Sequence, residues 1–227
     1  MTEPTLTLTA REFRDLVTPV IPMAHKDRMI PILNAVRIES VGNYLIASAT
    51  DRFAIGMSRH APSEKPPKGL AIMIPLPSLR LILATFKPSR DVDPQLEFIV
   101  TAKGERLRLN QTGGAFDFFE ASITYPLEQG EWPGLPKIIT NQADSDETPT
   151  KVIGLNASLL AKFQGAVRGG EPIEITIGAN NRPILITAGD HFIGALMPTL
   201  LSNSDAGTST VSEWSALLDS APKSKAA

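Results

Sequence analysis

The chain has 227 residues, of which 42% are hydrophobic, and a net charge of −2 at neutral pH. This length and composition suit one or two globular domains with a sizeable core, and the charge balance shows no global basic excess, although a local basic surface is compatible with it. Because the chain has no cysteine, disulfides, thiolate metal sites and cysteine nucleophiles are excluded.

The first predicted unit is a strand, a helix and three more strands. Residues 5–8 alternate apolar and polar side chains, as a strand does. Thr9 and Glu12 form the T-x-x-E pattern of a capping box, which predicts that a helix begins there. Its apolar face follows at helical spacing: Phe13, Leu16, Val17, Val20 and Ile21. Three strand-like runs come next: "ILNAVRIES", "YLIASAT" and "FAIGMSR".

The same order recurs twice. In the second unit "GLAIMIP" is a strand, Pro77 suits a first helical turn, and three strands follow: "QLEFIVTA", "RLRLNQ" and "AFDFFEAS". In the third, "KVIGLN" is a strand, Asn156 caps a helix that Gly169-Gly170 stops, and the strands are "PIEITIGA", "PILITAG" and "HFIGALMP". A repeat of roughly 55 residues is too long for most solenoids, so we predict α+β domains built from paired half-units.

Composition divides the chain into four segments. Residues 1–122 are expected to form one domain of two half-units, and 151–203 a second, reduced domain. Residues 123–150 are rich in proline and acid and are expected to be a connector. Residues 204–227 are mostly small and polar, which predicts a disordered tail. Within that tail, "VSEWSALL" is compatible with a short helix or with a peptide that docks in a partner's groove or in this chain's own.

The pattern of polar residues does not indicate an enzyme. His25, His60 and His191 lack the spacing of metal ligands, and neither a phosphate-binding loop nor a G-x-S-x-G elbow is present in the sequence. Acidic pairs such as Asp91 and Asp93 are typical of solvated turns. We therefore expect no catalysis, cofactor or metal; the alternative is a small hydrolase or other enzyme with dispersed catalytic residues.

Localisation is predicted from two sequence features. The longest apolar runs fall short of the roughly 20 residues of a membrane span. The first residues lack the basic-then-apolar order of a signal peptide. We expect a cytoplasmic protein that does not interact with membranes.

The corner "ATDRFAIGM" resembles the ATD-R turn of the bacterial DNA polymerase III beta subunit, the sliding clamp family. Further segments are similar to that family in the same order, over residues 5–136 and 151–201: "AHKDRMIPILNAVRIES", "MIPLPSLRLILATF", "LEQGEWPGLPKI" and "IGLNASLLAKF…HFIGALMP". The similarity is to the clamp's middle domain and to the last half of its C-terminal domain, and a short phage-type clamp fits it. Ala54 departs from the pattern, since the family often has arginine there.

The resemblance implies a DNA-clamp fold, in which βα-βββ half-units place helices on one side of curved antiparallel sheets. It also implies a processivity factor that tethers a DNA polymerase to duplex DNA, with a clamp loader as a further partner. The family ring holds twelve half-units, whereas three are predicted here. A homo-oligomeric ring of three or four chains and a non-ring module that binds or regulates replication proteins therefore all stay open.

Two sets of site residues follow from the resemblance. Cations on or beside the helices would meet duplex phosphates without reading sequence: Arg11, Arg14, Lys26, Arg28, Arg80, Lys87, Arg90, Lys162 and Arg168. An apolar groove would take a partner peptide: Thr50, Arg52, Phe53, Ile55, Pro133, Met197 and Pro198. From spacing alone, a charged outer helix face serves solubility, and Phe53 and Ile55 are ordinary strand residues beside a hairpin.

Overall fold

The computed structural model describes residues 3–101, 103–112, 122–143, 153–178, 182–201 and 206–219. The strands are β1 Thr5–Thr9, β2 Ala35–Val41, β3 Tyr44–Thr50, β4 Ala54–His60, β5 Ala71–Pro75, β6 Gln95–Val100, β7 Arg106–Thr112, β8 Ser122–Pro126, β9 Ile173–Thr176, β10 Ile184–Ala188 and β11 Phe192–Leu196. The helices are α1 Ala10–Val17, α2 Leu76–Thr85, α3 Leu135–Ala143, α4 Ala157–Leu160 and α5 Ala206–Asp219, with short 3₁₀ helices at Ile21–Met23 and Ala161–Ala166.

Two antiparallel sheets carry the fold. One has the strand order β1-β6-β7-β8, and the other has the order β5-β2-β3-β4-β11-β10-β9. Both sheets, α1, α2 and the second 3₁₀ helix contribute to one hydrophobic core. The α+β class and the repeated half-units predicted from the sequence are confirmed.

The first two units exchange their first strands. β1 is the first strand of the first unit but pairs with β6 of the second, with Leu6 opposite Phe98. β5 is the first strand of the second unit but pairs with β2 of the first, with Ile38 opposite Ile72. Each of the two sheets is therefore completed by a strand from the other unit.

The first helix begins where its capping box predicts. Glu12 N donates to Thr9 Oγ1 at 3.1 Å, and Thr9 N donates to Glu12 Oε2 at 2.8 Å, which satisfies two amides that a helix start leaves unpaired. Phe13 on the apolar face is 1% exposed, and its ring lies 4.8 Å from that of Phe98 in the four-stranded sheet. α1 also contacts β3 and β4, so it joins the two sheets.

The third unit departs from its predicted pattern at two places. The strand predicted at "KVIGLN" is reduced to one bridge between Gly154 and Thr199, and residues 151–152 lie outside the described ranges. No described half-unit stands beside the third one to accept a full first strand, as the first two units do for each other. The predicted helix is split into α4 and a 3₁₀ helix that contains Gly165, a residue of low helix propensity. Asn156 caps it, accepting from the amides of Ser158 and Leu159.

The predicted connector contains regular structure. β8 lies beside β7 at the edge of the four-stranded sheet, with Ile123 opposite Leu109 and Tyr125 opposite Leu107; the alternation of Ile123, Tyr125 and Leu127 explains this strand. α3 follows, with Pro136 in its first turn, where proline is tolerated. The strand predicted at "AFDFFEAS" lies outside the described residues except for Ser122. Within the tail predicted to be disordered, residues 206–219 form α5.

None of the helices in the described part of the chain is long and apolar enough to cross a membrane.

Tyr125 carries a buried hydroxyl in β8. The residue is 4% exposed, and its hydroxyl has no hydrogen-bond partner among the described residues. Burial raises the pKa of Tyr125 above its ordinary value, because desolvation disfavours the phenolate. Within the described residues this hydroxyl gains no hydrogen bond to offset the water that it loses on burial.

We expect Tyr125→Phe to leave the free energy of unfolding unchanged or to raise it by up to about 2 kcal/mol, since an unsatisfied buried hydroxyl costs roughly that much. Urea unfolding measures this, with Tyr44→Phe at an exposed position as the control. Above about pH 10 the Tyr125 hydroxyl ionises in the unfolded chain before it does in the folded protein, so the free energy of unfolding falls. Tyr125→Phe should lack this part of the pH dependence. A loss of more than about 1 kcal/mol would show that the hydroxyl is hydrogen-bonded.

Candidate functional site

The pairing of β4 with β11 brings together two segments that are about 140 residues apart. Ala54 lies opposite Leu196, and Ile55 lies opposite Ala195. Immediately beyond the strands, Met197 N donates to the carbonyl of Phe53 at 2.8 Å. The corner after β3 and the segment after β11 are therefore neighbours.

The corner itself is a tight turn held by its own polar side chains. Asp51 Oδ1 accepts from the amides of Phe53 and Ala54 at 3.1 and 2.8 Å. Thr50 Oγ1 donates to the carbonyl of Ala54 at 2.9 Å and accepts from the Arg52 amide at 3.1 Å. Arg52 has φ of 81°, the one positive value at a non-glycine residue in the described chain. The side-chain bonds of Thr50 and Asp51 offset the cost of this left-handed conformation.

An ion pair fixes the corner to the third unit. Lys162 Nζ in the second 3₁₀ helix contacts Asp51 Oδ2, and the two side chains are only 16% and 13% exposed. The same carboxylate thus orders the turn through one oxygen and binds a distant helix through the other. Charge-assisted hydrogen bonds of this kind are stronger than neutral ones.

The predicted groove residues differ in exposure. Phe53 is 59% exposed and Met197 39% exposed, and Arg52 is exposed beside them. Pro133 and Pro198 are half-buried.

Two of the predicted groove residues do not face solvent. Thr50 is 3% exposed, and its hydroxyl is used within the turn, so it does not stand at a rim as expected. Ile55 is 8% exposed, because its side chain points to the sheet face that α3 covers. Their assignment to a peptide groove stays a prediction.

Two exposed apolar residues that follow Met197 in the chain were not among the predicted groove residues. Leu200 is 75% exposed and Leu201 is 46% exposed, and Leu201 runs beside Gly154, where a Cβ would come within 2.8 Å of its side chain. The signal was the run of apolar residues that continues past the last strand in "ALMPTLL". We call Phe53, Met197, Leu200 and Leu201 the corner patch.

Helix α3 packs on the outer face of the seven-stranded sheet, the face away from α1. Leu135 and Ile139 form a second apolar cluster with Ile55, Leu185 and Ala195. Further along the strands α3 no longer covers the sheet, and a pocket of about 330 Å³ opens there. Its lining is Ile46, Met57, Ser58, Arg59, Thr187, Gly189, Asp190, His191, Phe192 and Ile193.

Several of the predicted DNA-contacting cations bind other parts of the chain. Arg14 Nη2 donates to the carbonyl of Leu83 at 2.6 Å, joining α1 to the end of α2. Arg168 Nη2 donates to the carbonyl of Asp15 at 2.6 Å, joining the third unit to α1. Arg11 donates to the carbonyl of Ser89 at 3.0 Å and pairs with Asp93 at 3.5 Å. Together with Lys162, these cations hold the helical segments of the three units together.

The other predicted cations are exposed. Across the described ranges their side chains make no hydrogen bond or ion pair: Lys26, Arg28, Arg80, Lys87 and Arg90. These five charges are available to a ligand. No group of three or more acidic or histidine side chains that would hold a metal ion occurs within the described residues.

We expect Lys162→Ala to lower the free energy of unfolding by about 1.5–3 kcal/mol, because it leaves the Asp51 carboxylate in a poorly solvated place without its cation. Urea unfolding measures the change. Lys87→Ala, at an exposed cation with no partner in the described chain, is the matched control and should stay within about 0.5 kcal/mol of the wild type. Equal effects for both variants would contradict the ion pair.

Comparison with known proteins gives a structural likeness only. Family models and curated sequences give no match. The crystal structure of a DNA polymerase III beta subunit from Thermotoga maritima matches with a TM-score of 0.68 and 13% identity, over 89% of this chain and 67% of that chain. The DNA polymerase sliding clamp from Pseudomonas aeruginosa matches with a TM-score of 0.66 and 14% identity, over 87% of this chain and 67% of that chain.

The chain spans about two thirds of the length of these structures. At such low identity the likeness concerns the fold. The matches cover 89% and 87% of this chain. The likeness therefore extends over most of the architecture described above. The protein has the fold of the DNA polymerase III beta subunits, the DNA sliding clamps.

Proposed function

We propose that this protein is a processivity factor of the sliding-clamp type, which holds a DNA polymerase on duplex DNA and performs no bond chemistry itself. The observation that supports this best is the β4–β11 pairing within a sliding-clamp fold. It joins a rigid polar turn to an exposed apolar segment, and such a surface suits a short peptide from a partner. Loading onto DNA would be the work of a separate clamp loader.

The corner patch is the proposed docking surface for the polymerase. Phe53 and Met197 offer exposed apolar area on a backbone fixed by hydrogen bonds, so little is lost in ordering the site on binding. Arg52 stands beside them as an exposed cation that suits a carboxylate or a carbonyl of the bound peptide. One or two buried side chains of the peptide would supply most of the affinity.

The helix side is the proposed DNA surface. Arg80 on α2 and Lys87 just after it are exposed and have no partner among the described residues. Cations placed in this way would contact phosphates without distinguishing sequences, which permits sliding. Arg14 and Arg168 already bind backbone carbonyls, so they would contribute mainly through their charge.

A ring requires contacts between chains, and β8 is the strand best placed for them. β4 and β11 close the first and third units and pair with each other, whereas β8 closes the second unit and forms a sheet edge. An open edge exposes backbone donors and acceptors that a second chain can pair.

The second candidate function is a clamp-like module that forms no ring and binds replication proteins through the corner patch. It is favoured by the contacts of Arg11, Arg14, Lys162 and Arg168, four predicted DNA-contacting cations that bind other parts of the chain. The two functions differ in oligomeric state.

We expect light scattering at tens of micromolar, the range where weak interfaces form, to give a mass above that of one chain. Thr124→Lys on the edge strand β8 should reduce the protein to a monomer, because an edge lysine blocks strand pairing. Ser63→Lys, in an exposed loop, adds the same charge and should leave the oligomer intact. A monomeric wild type would exclude the ring and leave the second candidate.

We expect the double variant Arg80→Glu, Lys87→Glu to be retained less on nicked circular duplex DNA. The slope of the logarithm of its binding constant against the logarithm of salt concentration should fall by an amount equivalent to about two phosphate contacts. Lys65→Glu with Lys68→Glu changes the same charge in the loop beside the β2–β3 turn and serves as the control. Both measurements use the full chain at several salt concentrations. Equal retention for the two double variants would mean that the α2 cations serve solubility only.

A further inference from the structure

Helix α5 presents an apolar stripe to solvent. Val211, Trp214 and Leu217 are 66%, 60% and 63% exposed, and their spacing of three residues places them along one side of the helix. Every described side chain from residue 211 to 217 is exposed. Such a stripe, with a tryptophan at its centre, has the form of a helix that docks in an apolar groove.

The corner patch is the nearest exposed apolar surface along the chain. The patch ends at Leu201 and α5 begins at Ala206, so four residues separate them. Connections of two to five residues commonly reverse the chain at the end of a helix. A reversal here would lay α5 antiparallel to residues 197–201.

The dimensions of the two segments agree with that arrangement. Trp214 lies eight residues into the chain from Ala206, about 12 Å at the helical rise. Met197 lies four residues before Leu201, at most about 13 Å in an extended chain. Val211 would therefore lie near Leu200, Trp214 near Met197, and Leu217 towards Phe53.

Charge favours the same contact. Residues 206–219 contain two acidic residues, Glu213 and Asp219, and no basic residue. The patch is bordered by Arg52, which is exposed and makes no side-chain hydrogen bond or ion pair within the described ranges. An acidic helix on a patch with a basic border is electrostatically complementary.

We propose that α5 folds back on the corner patch of its own chain and competes there with the polymerase peptide. The docking is inferred from the apolar stripe of α5, the corner patch and the short link between them. The competition with a polymerase peptide rests on the proposed function. A short tether gives an effective concentration on the order of 1 mM. An intrinsic Kd of about 0.1 mM would then keep the patch mostly covered and weaken the binding of an added peptide about tenfold.

The first test follows Trp214 directly. The chain has two tryptophans, so full-length protein with Trp132→Phe reports on Trp214 alone. We expect acrylamide to quench Trp214 less than it quenches the same residue after an added Met197→Asp or Phe53→Asp. Val41→Asp, which alters an exposed apolar residue elsewhere, should leave quenching unchanged.

Three results of this test would overturn the proposal. Quenching of Trp214 that is unchanged by Met197→Asp and by Phe53→Asp would show that the corner patch does not shield it. Shielding of Trp214 that grows with protein concentration would assign the docking to a second copy. Loss of shielding with Ile193→Asp, and not with Met197→Asp, would assign it to the pocket on the outer face.

The second test measures the open patch with a synthetic fluorescent peptide of residues 206–219. Full-length Trp214→Glu should bind this peptide about tenfold more tightly than the wild type does, because its own helix no longer competes. Ala216→Glu places the same charge on the opposite side of α5 and should bind like the wild type. Equal binding by Trp214→Glu and the wild type would overturn the proposal.

Neither test uses DNA, a polymerase or the oligomeric state. Failure of the docking would therefore leave the proposed function standing. A monomeric wild type, or equal DNA retention for the two double variants, would count against the ring or against its proposed DNA surface and would leave the docking of α5 standing.

Discussion

The arrangement of this protein depends on the antiparallel pairing of β4 with β11. This ladder makes the sheets of the first and third units one seven-stranded sheet. Within the described residues the third unit has a single bridge in place of a first strand, and β11 of its sheet pairs with β4. The same ladder places the Met197 amide against the Phe53 carbonyl, beside the surface that we propose as a docking site.

Two polar contacts of the third unit's helical segment reinforce the ladder. The Lys162–Asp51 pair ties the second 3₁₀ helix to the corner, and Arg168 ties the end of that helical segment to α1. These bonds are few, but each joins units that the chain connects only through a long segment. A cation that makes such a contact within the chain is held in place by it, which limits its freedom to contact a nucleic acid. The cations on and after α2 are not limited in this way.

The outer face of the large sheet is covered unevenly. α3 packs on Ile55, Leu185 and Ala195, while the same face further along the strands opens into a pocket bordered by Arg59 and Asp190. At the other end of the strands the corner patch stays exposed. Coverage by one short helix thus decides which apolar side chains belong to the core and which remain available to a partner.

The sequence by itself determined the local features. The capping box at Thr9, the apolar face of α1, the Asn156 cap and the order of strands and helix in the first two units follow from patterns within a few residues, and the structure has them. The corner after β3 was also evident, because Thr50 and Asp51 bond to their own turn. The order of motifs further indicated the clamp fold.

Only the tertiary structure decided which of these features meet and which are covered. The burial of Ile55 under α3, the pairing of Lys162 with Asp51 and the exposure of Leu200 each depend on segments far apart in the chain. Periodicity reports which side of a strand is apolar, but not which of two apolar faces receives a helix. The connector was predicted to lack regular structure because of its prolines. The alternation of Ile123 and Tyr125 forms a strand there because β7 lies beside it. Long-range pairing selects among local possibilities of similar energy, and that selection is made by the packed core as a whole.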